Sequence, residues 1–232
     1  MTGSLRTDLI ARLAAAGDPV RAEGQQRYMK SEIPFHGVRV PEVRRLARAL
    51  AKDHPLRDAA AWEEAVLRIW RDATHREQRY AAIELAYAPP YRHWLRPDCL
   101  GMVEEMIVTG AWWDYVDQLA PKHVGHLLAS YPTDIRPVLM SWAEDPDIWR
   151  RRTAIIAQLR FKAATDTALL FSAIEASIDQ TEFFLRKAIG WALREYSKTS
   201  PQVVADYVAS NHQRLSPLSR REALKVLKRH HT

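Results

Sequence analysis

The fold is indicated most clearly by residues 184–193, which read FLRKAIGWAL. Apolar residues recur in this stretch at positions i, i+3, i+4 and i+7, namely Leu185, Ala188, Ile189 and Ala192. This spacing places them on one face of an α-helix, because a helix turns once every 3.6 residues. The stretch therefore predicts an amphipathic helix that buries Ala188.

The same kind of amphipathic segment occurs six times along the chain. Each segment contains a small or apolar residue at the same place, and successive aligned residues are 35, 34, 38, 34 and 35 positions apart. The aligned residues are Ala47, Ala82, Val116, Ala154, Ala188 and Ala223. A period of this length is typical of two-helix repeats, in which one helix pair cannot bury its apolar face alone and must stack on its neighbours.

Strands are not indicated anywhere, since the alternation of β-branched and polar residues that marks a half-buried strand does not occur. We therefore predict an all-α protein, a curved α-solenoid of about six HEAT-like helical repeats. No change of composition marks a domain boundary, so residues 1–232 are predicted to form one domain.

The composition limits the classes of protein to which the chain can belong. Its 232 residues are 47% apolar, and no apolar run approaches the ~20 residues that a membrane span needs. Because the first residues lack a signal sequence, we expect a cytoplasmic protein without a membrane partner. Cys99 is the only cysteine, which excludes an internal disulfide and a cysteine metal cluster and favours a structural role. The histidines lack metal-ligand spacing, so we expect no metal and no cofactor.

The charge of the chain indicates a possible partner. The chain carries 34 Lys and Arg against 28 Asp and Glu, a net charge of +6, and the basic excess is concentrated in residues 133–232. A basic half favours a polyanionic partner. A solvated helix surface explains the same composition, so the charge alone leaves both interpretations open.

Basic residues recur at one place in the repeat, just before the aligned residue. They are Arg44 and Arg45, Arg79, Arg150 to Arg152, Arg186 and Lys187, and Arg220 and Arg221. If the repeats stack in register, these residues form a basic strip suited to a phosphate backbone. Any one of them is also explained as part of a solvated face.

The third repeat interrupts the basic strip with aromatic and acidic residues. Trp113 and Asp117 are separated by four positions and therefore share a helix face. Arg152 in the next repeat falls near them on the equivalent helical wheel, whereas Trp191 approaches the same space from the flank. A buried ion pair of Asp117 with Arg152 is the structural alternative to a reactive site.

Cleavage of a glycosidic bond is a reaction that uses such a carboxylate. Its transition state resembles an oxocarbenium ion, so a nearby carboxylate stabilises the developing positive charge and orients the attacking water. A departing base that is already cationic, such as an N-alkylated purine, needs no general acid. Indole faces attract the same cations.

Several segments resemble the HEAT-like repeat DNA glycosylases of the AlkD family. They are TGAWWDYVD at 109–117, IWRRRTAI at 148–155, FFLRKAIGWALREY at 183–196, RYMK at 27–30, GVRVP at 37–41 and PLSRREA at 217–223. The resemblance runs from about residue 20 to 230. It is specific as a combination, because a WWD motif alone is not diagnostic.

The resemblance implies a monofunctional glycosylase that removes N3- and N7-alkylated purines from duplex DNA and leaves an abasic site. By match to the family pattern, Asp117 is the catalytic carboxylate, Trp113 and Trp191 pack against the lesioned nucleotide, and Arg152 contacts DNA at the site. The family looks like one that works on a concave surface without a deep base pocket. We expect a monomer whose partner is double-stranded DNA with alkylated bases.

The remaining DNA contacts follow from the resemblance and from the basic strip. The expected DNA-binding residues are Tyr28, Arg39, Arg45, Arg151, Arg186, Lys187, Arg194, Arg220 and Arg221. Arg39 departs from the family, which often has an amide there. Two alternatives remain, a DNA-binding solenoid without catalysis and a protein-interaction solenoid.

Overall fold

The computed structural model describes residues 2–227, with side chains from residue 4 onward. Every regular element in this part of the chain is helical, as the sequence predicted, and no strand occurs among the described residues. None of these helices is long and apolar enough to cross a membrane. Contacts divide the chain into two compact units, an N-terminal unit (Met1–Met102) and a C-terminal unit (Val103–Thr232).

The N-terminal unit consists of helices joined by short connections. They are α1 Thr2–Ala15, α2 Pro19–Met29, α3 Val40–Asp53, α4 Ala59–Arg71 and α5 Arg76–Ala86, followed by 3-10 turns at Arg92–Trp94 and Pro97–Cys99. Two aspartates begin helices by capping them, since Asp18 accepts a hydrogen bond from the Arg21 amide and Asp58 accepts one from Ala61. Helix α3 packs against α5, and α4 packs against α5.

A further helix, α6 Leu100–Gly110, contains the division between the units, and the rest of the C-terminal unit follows it. The elements are α7 Trp113–Leu119, a π-helical turn Ala120–Val124, α8 Gly125–Ser130, α9 Pro132–Glu144, α10 Ile148–Ile156, a 3-10 turn Lys162–Ala164, α11 Thr167–Glu175, α12 Phe183–Ser197, α13 Pro201–Ser210 and α14 Pro217–Ala223. Asp147, Asp166 and Ser216 cap α10, α11 and α14 with their side chains.

The six aligned residues all lie on helices, which we call the anchor helices: α3, α5, α7, α10, α12 and α14. Each aligned residue is at most 1% exposed, so the alignment selected the buried face of every anchor helix. Within the C-terminal unit, α10 packs against both α7 and α12, and α12 packs against α14. Stacking of the helix pairs as six HEAT-like repeats stays a prediction.

Close approach of α12 and α14 depends on Gly190. A Cβ atom at this position would lie 2.6 Å from the Glu222 Cβ and 3.0 Å from the Ser219 carbonyl oxygen. Only the absence of a side chain lets the two helices meet at this distance. As a result, Glu222 lies directly against α12.

Cys99 has the structural environment that the sequence favoured. Its side chain is buried, and its thiol donates a hydrogen bond to the Trp94 carbonyl oxygen at 3.2 Å. Burial raises the pKa of the thiol, which lowers the thiolate fraction on which cysteine reactivity depends.

Candidate functional site

Asp117 on α7 and Arg152 on α10 form a two-point ion pair, which we call the acidic centre. The Nε atom of Arg152 lies 2.8 Å from Asp117 Oδ1, and its Nη2 atom lies 2.9 Å from Oδ2. The planar guanidinium matches the two carboxylate oxygens, so the orientation of the carboxylate is fixed. The Asp117 side chain is 18% exposed and the Arg152 side chain 5%, so the carboxylate is the more accessible member.

Arg152 also links the acidic centre to a third helix. Its Nη1 atom donates a hydrogen bond to the Phe184 carbonyl oxygen in the first turn of α12. The guanidinium thus bonds to α7 and α12 from its position on α10. In this structure its Nε, Nη1 and Nη2 atoms all donate to protein oxygens, and its side chain is buried.

Two opposing effects act on the pKa of Asp117. Burial raises it above the ordinary value of 3.8, and the charge and hydrogen bonds of Arg152 lower it, with a smaller rise from Asp114. Burial dominates, so the net pKa is raised. A carboxylate that is partly removed from water and oriented by a guanidinium stabilises a nearby cation more strongly than a solvated one does.

The two tryptophans expected at the site lie on helices that Arg152 connects. Trp113 is the first residue of α7, one turn before Asp117, and Trp191 lies in the middle of α12. Both residues are partly exposed. The helices therefore supply the residue types that the sequence predicted.

An aromatic cluster supports the beginning of α12. The ring centroid of Phe184 lies 5.6 Å from that of Trp112 and 5.1 Å from that of Trp149. Phe184 belongs to this cluster, and its carbonyl oxygen accepts the hydrogen bond from Arg152. The apolar packing and the ion pair therefore meet at the same residue of α12. Phe183 continues the cluster outward, with its ring 5.5 Å from Phe184 at an interplanar angle of 77°.

The three successive arginines before Ala154 point in different directions. Arg150 pairs with Glu104 and Asp145, and Arg152 pairs with Asp117. Arg151 donates to three backbone carbonyl groups, those of Glu144, Asp145 and Ala176. Successive residues on a helix differ by about 100°, so three neighbours cannot share one surface. Each of these arginines has partners inside the protein.

The expected cations of α12 and α14 are partly or fully exposed, and several have partners. Glu222 accepts from Arg194 and lies 3.6 Å from the Lys187 ammonium. The other three arginines have different surroundings. Arg186 donates to the Gln180 carbonyl, Arg220 donates to the His212 carbonyl, and Arg221 is exposed. Glu222 is a second acidic residue among the predicted DNA-binding cations.

In the N-terminal unit, the predicted contacts are exposed. Tyr28, near the end of α2, is 75% exposed, and Arg39 is exposed at the residue before α3. The Arg45 side chain is 66% exposed and pairs with Glu42 at 2.6 Å. Arg79, expected at the equivalent place on α5, instead lies over the Trp70 ring at 4.8 Å, in a cation–π contact.

Glu77 holds the loop that leads to Arg39. This fully buried side chain on α5 accepts hydrogen bonds from the backbone amides of His36, Gly37 and Val38 at 2.8–3.0 Å. Gly37 has a φ of 86°, where a side chain would be strained, and a Cβ there would lie 2.0 Å from the Asp18 carbonyl oxygen. The loop therefore depends on a glycine and a carboxylate 40 residues apart.

Glu77, Glu222 and Phe183 were not recognised from the sequence. Glu77 and Glu222 are ordinary helix residues in the repeat alignment, and their partners appear only after folding. For Phe183 a signal exists in the sequence: it is an aromatic residue at the start of the helix that contains Arg186 and Lys187.

The helical architecture, the Asp117–Arg152 pair and the partly exposed cations describe a class of protein, and comparison with known sequences identifies its family. The sequence model of a family described as "DNA alkylation repair enzyme" matches residues 9–227. The chain belongs to this family. Membership indicates a role in the repair of alkylated DNA, as the resemblance predicted.

A solved structure supports the same assignment. It is described as a predicted DNA alkylation repair enzyme from Enterococcus faecalis and is 32% identical to this chain. The similarity covers 90% of this chain and 95% of that one, with a TM-score of 0.80. No curated protein matches this sequence.

Proposed function

We propose that the protein is a DNA glycosylase that hydrolyses the N-glycosidic bond of N3- and N7-alkylated purines in duplex DNA. The observation that carries this proposal is the carboxylate of Asp117, which is partly exposed and held in one orientation by Arg152. Family membership supports alkylated DNA as the substrate class. The products are the free base and an abasic site.

Asp117 acts on the sugar of the damaged nucleotide. As the bond between C1′ and the base nitrogen breaks, its electron pair leaves with the base and neutralises the positive charge of the alkylated purine. Asp117 stabilises the cation that develops on the sugar, and water adds to C1′ while its proton passes to the carboxylate. Because the base departs neutral, no general acid is required.

Arg152 is assigned a positioning role. Its guanidinium fixes both oxygens of Asp117 and favours the ionised carboxylate against the effect of burial. This role differs from a direct contact with the DNA phosphates, which the expected cations at the surface supply. Trp113 and Trp191 offer indole faces to the sugar and to the cationic lesion.

The cations of both units bind the duplex through its phosphates. Tyr28, Arg39 and Arg45 lie in the N-terminal unit, and the cations of α12 and α14 lie in the C-terminal unit. We further infer that the helix pairs are HEAT-like repeats, because the anchor residues recur at intervals of 34 to 38 positions and are all buried. The protein acts as a monomer without a cofactor.

Release of base from duplex DNA containing 7-methylguanine tests the proposal. The unmodified protein releases 7-methylguanine, and Asp117→Asn lowers the single-turnover rate by about 100-fold or more, as loss of an electrostatic stabiliser does. Asp206→Asn is the matched control, because it removes an exposed carboxylate of α13 and leaves the rate unchanged. Equal release by Asp117→Asn and the unmodified protein contradicts the proposal.

A DNA-binding protein without catalysis is the second candidate. The bidentate Asp117–Arg152 pair favours it, since a carboxylate whose partner is a buried guanidinium also serves as a structural ion pair. This candidate predicts salt-dependent binding to duplex DNA without base release. The 7-methylguanine assay distinguishes the two.

A further inference from the structure

Phe183 is an exposed aromatic side chain at the first position of α12. Its side chain is 57% exposed, and it is one of four large apolar residues with high exposure in residues 4–227. Tyr28, already assigned to DNA, is another, and the remaining two are valines. Exposing an aromatic ring is unfavourable, by roughly 25 cal/mol for each Å² of apolar surface.

The chain places Phe183 next to the acidic centre. The following residue, Phe184, accepts a hydrogen bond from Arg152, which in turn holds Asp117. The backbone at Phe183 is therefore one residue removed from a group bonded to the acidic centre. The Phe183 ring lies 5.5 Å from the Phe184 ring of the aromatic cluster, and with 57% exposure most of its surface remains open.

The charges around Phe183 favour a polyanion. Arg186 and Lys187 follow it by three and four positions, a spacing that places them on the same side of α12. Two acidic residues oppose this charge: Glu182 precedes Phe183 and is exposed, and Glu222 lies 3.6 Å from the Lys187 ammonium. An aromatic ring beside two cations is the arrangement with which proteins stack on bases while they hold the phosphates.

We propose that Phe183 stacks on a base of duplex DNA that has lost its pairing partner at the damaged position. The inference rests on the proposed function, because it is the opening of a damaged base pair that exposes such a base. Stacking of a base on an aromatic side chain contributes about 1–3 kcal/mol, and apolar side chains inserted between bases hold a distorted duplex open. Phe183 thereby assists recognition of the damaged position without taking part in the bond cleavage.

Fluorescence of 2-aminopurine tests this contact. We would place 2-aminopurine opposite a tetrahydrofuran abasic analogue in a duplex, because stacking on an aromatic ring quenches its fluorescence. The unmodified protein quenches the signal, and Phe183→Leu, which keeps an apolar side chain without a ring, loses the quenching and about tenfold in affinity. Phe183→Tyr retains both, because it keeps the ring.

The matched control is Val203→Ala on α13, which removes exposed apolar surface outside the cationic part of α12 and leaves quenching unchanged. Quenching and affinity for Phe183→Leu equal to those of the unmodified protein overturn the inference. Loss of both by Phe183→Tyr also overturns it, because stacking requires only the ring.

Asp117→Asn separates this inference from the proposed function. If the unmodified protein releases no base but Phe183→Leu still loses the quenching, the proposed function fails and the contact stands. If the unmodified protein releases base, Asp117→Asn does not, and Phe183→Leu binds and quenches normally, the contact fails and the proposed function stands.

Discussion

Asp117 on α7 and Glu77 on α5 are carboxylates of anchor helices that are held by different kinds of donor. Glu77 is fully buried and accepts from three backbone amides of one loop. Asp117 keeps 18% of its side chain exposed and is held by one side chain, Arg152. The first carboxylate satisfies the backbone donors of a loop, and the second, for which we propose a catalytic role, keeps part of its surface open.

The two carboxylates differ in their freedom to bind another partner after folding. Backbone amides are fixed by the chain, so Glu77 cannot turn toward another partner without leaving three buried donors unsatisfied. Asp117 faces a guanidinium on one side and keeps part of its surface open. Burial alone therefore does not distinguish the two carboxylates, whereas the identity of the donor and the remaining exposure do.

The largest expected effect is on stability, from Glu77→Gln. The amide keeps one oxygen acceptor but places an NH₂ group against backbone donors. Hydrogen bonds to a charged acceptor contribute about 1.5–3 kcal/mol each, so we expect the free energy of unfolding to fall by about 3 kcal/mol. Urea denaturation measures this loss.

Glu23→Gln is the control for Glu77→Gln. Glu23 pairs with Arg27 at the surface, where both side chains are 74% exposed, and such pairs contribute little. We expect no measurable change in the free energy of unfolding for Glu23→Gln. A stability of Glu77→Gln equal to that of the control would show that the loop does not depend on the carboxylate.

Arg152→Gln gives the next largest effect and one that depends on pH. The substitution leaves Asp117 largely buried without its cation. We expect the free energy of unfolding to fall by about 2 kcal/mol at neutral pH. This is less than the roughly 3–5 kcal/mol for breaking a fully buried pair, because Asp117 is partly exposed. The pKa of Asp117 is already raised by burial, and loss of Arg152 raises it further.

The sign of the pH dependence follows from this raised pKa. The folded protein binds the proton of Asp117 more tightly than the unfolded chain, so stability from this group falls as pH rises through the interval between the two pKa values. The deficit of Arg152→Gln is therefore largest at neutral pH and shrinks on acidification. A deficit independent of pH contradicts this account. Arg136→Gln, which removes the more exposed pair with Asp166, serves as control.

The sequence predicted the helices and their buried faces, because helical periodicity is local. Ala154 and Ala188 illustrate this, since the repeat alignment alone placed both on buried helix faces. The pairing of Asp117 with Arg152 was also considered, as the structural alternative. Helical-wheel position could bring the two residues together but could not determine whether a carboxylate stays partly exposed, since exposure depends on the packing of α7, α10 and α12.

The helical periodicity of the sequence does not predict contacts between side chains that are far apart along the chain. Arg151 stays a predicted DNA contact, and the sequence did not indicate that its donors bond to carbonyl groups at the ends of α9 and α11, whose positions depend on tertiary packing. Glu222 approaches Lys187 only because Gly190 lets α12 and α14 meet closely. Neither arrangement has a local signal.

The smallest expected effect concerns Glu222, which is intermediate between the two carboxylates of the comparison. Its side chain is 14% exposed, like that of Asp117, but its partners Lys187 and Arg194 are cations expected to bind DNA. Glu222 therefore competes with the phosphates for these two residues. Glu222→Gln removes this competition, and we expect affinity for undamaged duplex DNA to rise about threefold, the scale of a partly exposed ion pair.

The same substitution separates binding from cleavage. The rate of base release at saturating protein stays unchanged for Glu222→Gln, since Asp117 and Arg152 form their pair without it. Anisotropy titrations at several salt concentrations measure the affinity. Glu195→Gln on α12, which removes the partner of Lys198, controls for the loss of one negative charge. An equal rise in affinity for both variants would attribute the effect to net charge. A rise confined to Glu222→Gln means that a carboxylate between two cations sets how tightly α12 holds the duplex, whereas the role proposed for Asp117 is in the breaking of the bond.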